Sequence, residues 1–481
     1  MTVNLMWFRN DLRIHDNIAL YAACKKKEAN VLSIFIATPQ KWKKNFMSFK
    51  KSEYIYKNLL MLQKNIMKIG IPLYFYESKN SFTSVKFLIN FCQKNKVNSI
   101  FYNDQYETNE IKRDFLTKKM LEKENISVRT FHDATLISPD KIYKKNGQSY
   151  NNFSFFKKNI IKKIQRKLPQ SFPVPDIRPF LKIKTYAIKF SYPRENIDEN
   201  LFPIGEHSAL NKLSFFIDKQ INKYELEHNF PNVNCTSFLS ASLSIGILSS
   251  RQCIKLLLKK KIYKNKININ ECKWLNELIW REFYKYILVK YPTLIQCKSK
   301  YNLENKITWN NNKKNLIAWK EGRTGYPIVD AGMRQLNELG WMHNRIRMIT
   351  ASFLVKDLLI NWREGEKYFI SKLIDGDTAI NNGNWRWIAS IGYGSNPYFR
   401  IFNPIYQAKK FDKEGYFVKK YIPELRMVPN LYIFNPHLWS QKIGKKINYP
   451  FPIVDHEKTK KNVITVFKLA KLLSLKENNL K

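Results

Sequence analysis

The stretch VLSIFI, residues 31–36, is a short apolar run typical of a buried strand, and it is one of several such runs in the first 135 residues. The others are NLMWF at 4–8, IPLYFYE at 71–77, SIFYN at 99–103 and ISVRTFH at 126–132. Helical patterns separate them, for example at 51–68 and 108–124. Strands that alternate with helices pair in parallel through right-handed crossovers. The pattern predicts a doubly wound α/β domain with a five-stranded parallel sheet over residues 1–135.

The remaining sequence changes character twice. Residues 136–200 are irregular and rich in proline, which predicts a linker between domains. From residue 201 onward strand signals nearly vanish and amphipathic helical patterns dominate. We therefore predict a larger, all-helical C-terminal domain over residues 201–481.

One polar segment of the first domain is a candidate ligand site. No G-x-G-x-x-G fingerprint follows the first strand, so the usual dinucleotide site is not indicated. Parallel α/β sheets nevertheless bind ligands beyond the carboxyl ends of their strands. The segment YNDQYETNE, residues 102–110, would lie at such an end. An ordinary polar loop is the alternative interpretation, and both stay open.

The charge of the chain is extreme. It carries 83 Lys and Arg against 39 Asp and Glu, a formal net charge of +44. Such an excess favours a polyanionic partner such as nucleic acid. Lysine is also abundant on the backs of helices, for example at residues 255–270, which a genome biased toward A and T would produce. The charge alone does not decide between these explanations.

Other features exclude several classes of protein. The sequence has no apolar run of membrane-spanning length, and its N-terminus lacks the basic region of a secretory signal. The cysteines are scattered without a C-x-x-C pair, which argues for reduced thiols and against a zinc site. We expect a cytoplasmic protein that has no metal.

Hydroxyl side chains cluster in CTSFLSASLSIGILSSRQ, residues 235–252. They precede a helix that we predict to start near Ser249. Hydroxyls and exposed N–H groups at a helix start form an anion site, which indicates a docked phosphate. Ordinary N-capping, which needs only one or two such residues, is the alternative. The hydroxyl residues are Thr236, Ser237, Ser240, Ser242 and Ser244.

A second cluster lies in WLNELIWREFYKYIL, residues 274–288. On a helix, Trp274, Glu277 and Arg281 share one face, and Trp280 lies close to Glu277. An indole, a carboxylate and a guanidinium around one cavity suit an aromatic ligand that forms hydrogen bonds. An amphipathic core helix with an ion pair is the alternative.

Residues 341–362 have the pattern of one long helix. Asn344 and Met348 are neighbours on it, and Arg345 and Arg347 flank them. Polar residues in an apolar helix should be either exposed or paired. We predict that His343 is structural rather than catalytic.

The segment DGDTAINNGNWRW, residues 375–387, has the composition of a surface loop but ends in two tryptophans, which are costly to expose. Its carboxylates lack the partners of a metal site. Asp375 is a candidate partner for Arg347. The amides of Asn381, Asn382 and Asn384 suit the edge of a heterocycle. Composition alone therefore indicates a polar ligand site.

At these residues the sequence resembles the DNA photolyase/cryptochrome family, closest to the bacterial class I type that repairs cyclobutane pyrimidine dimers. The resemblance covers nearly the whole chain. Its motifs are WFRNDLRIHDN, TSFLSASLS, WLNELIWREFY, GYPIVDAGMRQL, GWMHNRIRMITASFLVKDLLINWREGE, DGDTAINNGNWRW and YFRIFNP. It implies an α/β antenna domain and a helical domain that binds one non-covalent FAD. The implied activity is light-driven repair, in which the photoexcited reduced flavin gives an electron to a flipped-out dimer and recovers it when the ring has opened.

The resemblance also implies roles for single residues. Asp375 and Arg347 would pair beside the flavin, Asp377 would contact its ring edge, and Asn381 would face N5. The FAD contacts implied as a whole are Tyr224, Thr236, Ser237, Leu239, Ser240, Trp274, Arg281, Asn344, Arg347, Asp375, Asp377 and Asn381.

The substrate and the electron relay involve a second set. A flipped base needs stacking surfaces and polar groups that read its edge. Trp280 and Trp387 would stack on the dimer, Glu277 would bind its edge, and Met348 would line the pocket together with Asn344. Trp385, Trp362 and Trp309 match the family's tryptophan relay. Implied DNA contacts are Glu277, Arg281, Arg345, Trp387 and Arg400.

The expected partners are damaged DNA and an antenna chromophore, with a monomeric, nucleoid-associated protein. Asn109 and Glu110 match residues that bind 5,10-methenyltetrahydrofolate in relatives. Three departures from the family concern that antenna. Asn45 stands where relatives have a histidine. Ile295 and Gln296 stand where relatives have a Cys-Lys pair, which occurs here displaced at Cys297-Lys298. His228 replaces a DNA-facing arginine.

Two other functions compete with repair of cyclobutane dimers. A cryptochrome-type light receptor is the main alternative, but plant-type receptors have an aspartate at the position of Asn381, and little chain follows His456. The class that repairs 6-4 photoproducts has paired histidines where residues 342–344 read MHN. A nucleic-acid binder without flavin would leave the tryptophan and Asp/Asn clusters unexplained.

Overall fold

The computed structural model describes residues 2–179, 187–262, 267–292, 303–392 and 399–479. Two compact units make up the chain. Unit 1 comprises Met1–Glu225, Thr236–Pro292 and Ile374–Ala379, and unit 2 comprises Leu226–Cys235, Thr293–Leu373 and Ile380–Lys481. The domain boundaries expected from composition, at residues 135 and 200, stay a prediction.

Unit 1 contains the predicted five-stranded parallel sheet. Its strands are β1 (Val3–Phe8), β2 (Asn30–Ala37), β3 (Leu73–Glu77), β4 (Ser99–Asn103) and β5 (Ser127–Phe131). All pairings are parallel, and the spatial order is β3-β2-β1-β4-β5. Central β1 is buried along almost its whole length, whereas edge strand β5 is largely exposed. That difference explains why the central runs are continuously apolar.

The core of the sheet is formed by apolar side chains from both strands and helices. Leu5 and Trp7 of β1 and Ile34 of β2 pack with Val85 and Leu88 of the helix Ser81–Lys94. In the described residues up to 292, the helices are Ile18–Ala23, Pro39–Lys44, Phe49–Met67, Ser81–Lys94, Thr108–Lys123, Phe153–Arg166, Glu206–Phe215, Ile221–Glu227, Ser240–Ser244, Ser250–Leu257 and Lys273–Lys290. Two π-helical segments, Phe216–Gln220 and Leu258–Ile262, extend neighbouring helices.

The proline-rich segment is less irregular than predicted. Residues Phe153–Arg166 form a helix, which Asn152 caps by accepting a hydrogen bond from the Ser154 N–H. Its apolar residues Phe156, Ile160 and Ile164 are buried. The prolines lie outside this helix, so they did not prevent it from forming.

The described residues after 201 contain no strand, as the all-helical pattern predicted. The later helices are Leu303–Lys306, Lys313–Glu321, Pro327–Leu339, Asn344–Ser352, Trp362–Lys372, Thr378–Ile388, Pro404–Phe411, Tyr416–Tyr421, Pro436–Ile443 and His456–Asn479. The core of unit 2 includes the fully buried Trp319, Met333, Phe353 and Trp362.

The single helix predicted over residues 341–362 is wrong in its bounds. The helix begins at Asn344, changes to a π-helical turn at Phe353–Asp357, and stops there. Leu359 then adopts a left-handed backbone conformation with φ of 52°. A right-handed helix cannot continue through a residue in this conformation. Asn361 caps the next helix by accepting from the Arg363 N–H. The apolar pattern continues across the break because Leu358, Leu359 and Ile360 are buried although they are not helical.

The surface-loop composition of residues 375–387 was also misleading, because Thr378–Ile388 is a helix. Asp377 accepts a hydrogen bond from the Ala379 N–H at 3.0 Å, the geometry of an N-cap. Asn381, Trp385 and Arg386 are buried. Polar residues are tolerated here because they form hydrogen bonds inside the protein.

Candidate functional site

The hydroxyl segment of unit 1 separates into two groups. Thr236 and Ser237 are half-buried and Ser240 is exposed. In contrast, buried Ser242 lies 3.0 Å from the hydroxyl of Tyr54, and Ser244 donates to the Ala241 carbonyl at 2.8 Å. Ser244 is half-buried as well, so only Ser242 of the five hydroxyl residues is buried, and phosphate binding by Thr236, Ser237 and Ser240 stays a prediction. Leu239, the apolar residue among the predicted contacts, is buried beside them.

The predicted helix start near Ser249 is confirmed. Ser249 caps the helix Ser250–Leu257 by accepting from the Gln252 N–H, and the Gln252 side chain accepts from the Ser249 N–H in return. This capping box satisfies two backbone donors. The capping role is therefore filled by Ser249, and Thr236, Ser237 and Ser240 are not needed for it.

A carboxylate caps the N-terminus of the helix Lys273–Lys290. Glu225 accepts from the backbone N–H groups of Lys273 and Trp274, an arrangement that the helix dipole favours. Trp274 is only 4% exposed and packs against Phe216, which also contacts Tyr224. Trp274 and Tyr224 thus lie in the core around Phe216.

Glu277 and Trp280 face outward from the same helix. Glu277 is exposed and Trp280 is half-buried. The Trp280 ring stacks on Phe153, with centroids 3.6 Å apart and planes 3° from parallel. Sequence analysis missed Phe153, because it belongs to the segment interpreted as a linker. One face of the indole is therefore already covered by an aromatic ring.

Arg281 lies in a different environment from Glu277. Its guanidinium donates to the Ala134 carbonyl at 3.1 Å and to the Ser250 hydroxyl at 3.0 Å, and it pairs with Glu282. It lines a cleft of about 630 Å³, counted to the open mouth, together with residues 103–107 at the carboxyl end of β4. The polar segment proposed as a strand-end ligand site does line a cleft.

Asp377 is surrounded by cations of unit 1. Its Oδ2 lies 3.1 Å from Lys285 Nζ, and Lys51 donates to the neighbouring Gly376 carbonyl. Burial opposes ionisation of Asp377, but Lys285 and Arg281 outweigh it and hold the pKa below its usual range. Burial lowers the pKa of Lys51, and Asp377 and Asp375 counteract that effect. Asp377 is therefore an ionised acceptor at neutral pH.

The residues assigned to the antenna lie in the first turn of the helix Thr108–Lys123. Asn109 is exposed, and the Glu110 carboxylate pairs with Lys41. Asn45 ends the short helix Pro39–Lys44 that carries Lys41. The displaced Cys297-Lys298 pair, with Ile295 and Gln296, lies outside the described residues.

In unit 2, His343 caps the helix that begins at Asn344. Its Nδ1 accepts from the Arg345 N–H at 3.2 Å. Burial lowers the pKa of His343 to about 4, and Arg345 and Arg347 add to the effect. The neutral ring is the form that can accept this bond, in agreement with the predicted structural role.

The other residues of this helix divide between the surface and the core. Asn344 is exposed, and Met348 packs partly against the core. Arg345 donates to Asn229 Oδ1 at 2.6 Å and lies over the Phe411 ring. Arg347 donates to the Met342 carbonyl at 2.8 Å. Arg347 and Asp375 belong to different units, and their pairing stays a prediction.

The amides of the helix Thr378–Ile388 have distinct partners. Asn381 donates through Nδ2 to the Glu366 carbonyl at 2.9 Å, and Asn382 donates to the Glu366 carboxyl at 2.7 Å. Asn384, predicted as a ligand contact, is exposed and donates to the Ile380 carbonyl. Asn381 thus keeps its Oδ1 as a hydrogen-bond acceptor.

The tryptophans of unit 2 differ in exposure. Trp385 and Trp362 are 2% and 0% exposed, whereas Trp309 and Trp387 are half-buried. Trp385 packs edge-on against Phe369, and its centroid is 6.3 Å from that of Trp319. Sequence analysis did not single out Trp319, although it is another buried indole beside Trp385. Arg400 is exposed, and its contact with DNA stays a prediction.

Two family descriptions match this sequence. Residues 4–176 match the DNA photolyase family, and residues 274–469 match the FAD binding domain of DNA photolyase. The chain belongs to the DNA photolyase family. Photolyase membership agrees with the parallel sheet, the helical region and the resemblance found in the motifs.

Individual photolyase relatives extend the match over the full length. A deoxyribodipyrimidine photo-lyase of Buchnera aphidicola from Acyrthosiphon pisum is 48% identical, with 100% of both chains covered. A solved class III photolyase from Agrobacterium tumefaciens has a TM-score of 0.85 at 30% identity, covering 98% of each chain. A Synechocystis cryptochrome has a TM-score of 0.87 at 26% identity, covering 97% of this chain and 99% of that one.

In the ranges that the structure describes, no helix of this photolyase combines the length and the apolar composition needed to span a bilayer.

Proposed function

We propose that this chain is a deoxyribodipyrimidine photolyase, which uses light to split cyclobutane pyrimidine dimers in DNA. The observation that carries the proposal is full-length similarity to a deoxyribodipyrimidine photo-lyase at 48% identity. The second candidate, a cryptochrome-type light receptor, is favoured only by the likeness to the Synechocystis cryptochrome, at 26% identity.

The residues present suit FAD. Thr236, Ser237 and Ser240 offer hydroxyls at the surface to the diphosphate, and Tyr224, Leu239, Trp274, Arg281 and Asn344 complete the proposed contacts of the cofactor. When bound and reduced, FAD supplies the photoexcited electron for repair.

Three residues are proposed to govern the charge of the flavin ring. With the cofactor bound, ionised Asp377 would accept a hydrogen bond from the edge of the ring, and Asn381, whose Nδ2 donates to the Glu366 carbonyl, would present its Oδ1 to N5. Arg347, proposed to pair with Asp375, places a cation near the reduced ring. A cation favours a nearby anion in a site of low dielectric constant.

The proposed dimer pocket uses the outward-facing indoles. Trp280 and Trp387 are half-buried, so each keeps a surface on which a base can stack. Stacking contributes about 1–3 kcal/mol per base. Phe153 stacks on one face of Trp280, and the Tyr284 ring centroid lies 5.4 Å from that of Trp280, so two neighbouring rings restrict the orientation of the indole. Exposed Glu277 accepts from the edge of the flipped base, and Met348 lines the pocket.

Further proposals concern partners and location. Arg281, Arg345 and Arg400 contact DNA phosphates, and the protein acts as a monomer in the cytoplasm, associated with the nucleoid through DNA. Asn109 and Glu110 bind 5,10-methenyltetrahydrofolate as the antenna, which requires Glu110 to exchange its partner Lys41 for the pterin. Trp385, Trp362 and Trp309 relay electrons to the oxidised cofactor.

The decisive experiment is repair in vitro. The purified protein, chemically reduced, is illuminated with DNA that contains thymine dimers, and dimer loss is followed by chromatography. Dimer loss in light but not in darkness supports the proposal. Dimers that persist while 6-4 products are repaired would refute it, and persistence of both would favour the receptor function.

A further inference from the structure

The side chain of half-buried Arg345 is held by an asparagine that sequence analysis did not single out. Its Nε and Nη2 both donate to Asn229 Oδ1, at 3.1 Å and 2.6 Å. Both residues belong to unit 2, although 116 positions separate them in the chain. Two donors of a planar group on one acceptor fix the rotation of the guanidinium as well as its position.

Further contacts restrict the same arginine. The Cζ of Arg345 lies 4.6 Å from the centroid of the Phe411 ring, so the guanidinium lies over an aromatic face. Phe411 is 8% exposed, and Phe230, the residue after Asn229, packs against it with centroids 6.3 Å apart. His343 holds the backbone of Arg345 by accepting its N–H. The ring that supports Arg345 therefore also anchors the segment that carries Asn229.

The amide of Asn229 can meet Arg345 in only one orientation. A guanidinium has donors and no acceptor, so it must face the oxygen of the amide and not the nitrogen. The Nδ2 of Asn229 then faces His228, whose Nε2 lies 3.1 Å away and accepts a hydrogen bond when that nitrogen carries no proton. His228 thus stabilises the orientation in which Asn229 receives Arg345.

The charge of the asparagine matters for a contact between Arg345 and an anion. A carboxylate in its place would form an ion pair and offset the positive charge. The neutral amide accepts the same bonds and leaves that charge on the guanidinium. Asp412, the carboxylate next to Phe411, accepts instead from the backbone N–H groups of Phe417 and Val418. Arg345 is therefore fixed in place by a group that does not neutralise it.

We propose that Asn229 is a positioning residue for the contact between Arg345 and a DNA phosphate. The inference rests on the proposed role of Arg345 in binding DNA. Asn229 and Phe411 fix the guanidinium before DNA arrives, so binding does not have to immobilise a long side chain. Loss of this pre-organisation weakens the binding of damaged and undamaged DNA alike, because a phosphate contact does not read the bases.

Asn229→Ala tests the proposal in a double-variant cycle with Arg345→Gln. Fluorescence anisotropy measures the dissociation constant of the full-length protein with FAD for a labelled duplex that contains one thymine dimer, at several salt concentrations. We expect Asn229→Ala to raise this constant about two- to tenfold, the effect of ordering one long side chain on binding. Arg345→Gln should also lower the slope of log affinity against log salt by about 0.9, the value for one phosphate contact. In the double variant, Asn229→Ala should add no further loss.

Two more variants complete the experiment. Asn229→Ser, too short to reach the guanidinium, should behave like Asn229→Ala. Asn232→Ala is the matched control, because it makes the same substitution at an exposed residue of the same segment, and it should leave the dissociation constant unchanged. The unfolding midpoint and the flavin absorption of each variant show whether the fold is intact. In Asn229→Ala the loss should appear in the DNA concentration that half-saturates repair and not in the rate at saturation.

Three results would overturn the inference. The first is an equal dissociation constant for folded Asn229→Ala and wild type. The second is an equal loss from Asn229→Ala with and without Arg345→Gln, since Asn229 would then act independently of the arginine. The third is wild-type affinity and salt slope in Arg345→Gln, which would remove the contact on which the inference rests. Repair of thymine dimers by chemically reduced wild-type protein tests the enzyme assignment separately, so the two failures are distinguishable.

Discussion

Gly365 is the point at which packing around Trp385 can be tested most sharply. A Cβ added at this helical glycine would overlap Trp385 Cη2 and would stand 2.6 Å from both Trp385 Cζ3 and Leu354 Cδ2. The obstacle is a rigid buried ring, so it cannot be relieved by rotating a flexible end. Overpacking of a core costs about 1–3 kcal/mol, whereas alanine gains about 1 kcal/mol over glycine inside a helix. We expect Gly365→Ala to lower the free energy of unfolding by about 2 kcal/mol, because the overlap is severe.

Urea unfolding, followed by circular dichroism, measures this change. Glu364→Ala is the matched control, since it alters the exposed neighbour in the same helix and should stay within about 0.5 kcal/mol of wild type. The double variant Gly365→Ala/Trp385→Phe replaces the obstructing ring by a smaller one. Its loss should fall short of the sum of the single losses by about 1 kcal/mol or more. If Gly365→Ala is instead more stable than wild type, helix propensity dominates and the close approach of Trp385 is not real.

Three further predictions concern charge and electron transfer. The pKa of His343 is about 4 in the folded protein and 6.5 in the unfolded chain, so the unfolded chain binds the proton first as pH falls. The free energy of unfolding should therefore drop by about 3 kcal/mol between pH 6.5 and pH 4. His343→Asn keeps a capping side chain and should remove that part of the pH dependence, which urea titrations at several pH values would measure. Lys285→Met removes a cation that lies 3.1 Å from buried Asp377 and should lower the free energy of unfolding by about 3 kcal/mol. The double variant Lys285→Met/Asp377→Asn should recover part of that stability. If the losses of the two single variants simply add in the double variant, the ion pair is contradicted. Trp385→Phe should slow photoreduction of the oxidised cofactor but spare repair by chemically reduced protein, and loss of repair there would assign Trp385 to the substrate step.

Local sequence was sufficient to predict a helix or strand wherever the decisive pattern lay within the residues of that element. The strand SIFYN is β4 at the predicted bounds, and the predicted helix start at Ser249 is a capping box within four residues. Both signals act between neighbours in the chain, through side-chain periodicity and through hydroxyl and amide caps. The roles of Asp375, Asn381 and the relay tryptophans came from motif resemblance rather than from local physics, and they remain proposals.

Other features depend on residues that are distant in sequence, so only the tertiary structure determined them. The break at Leu359 interrupts an apolar pattern that continues on both sides, so periodicity did not reveal it. The polar helix Thr378–Ile388 resembled a loop because its stabilising partners, such as Glu366, lie elsewhere in the chain. The stack of Phe153 on Trp280 joins residues more than a hundred positions apart. A buried polar or aromatic group is stable only with a specific partner, and the identity of that partner depends on the folded chain as a whole.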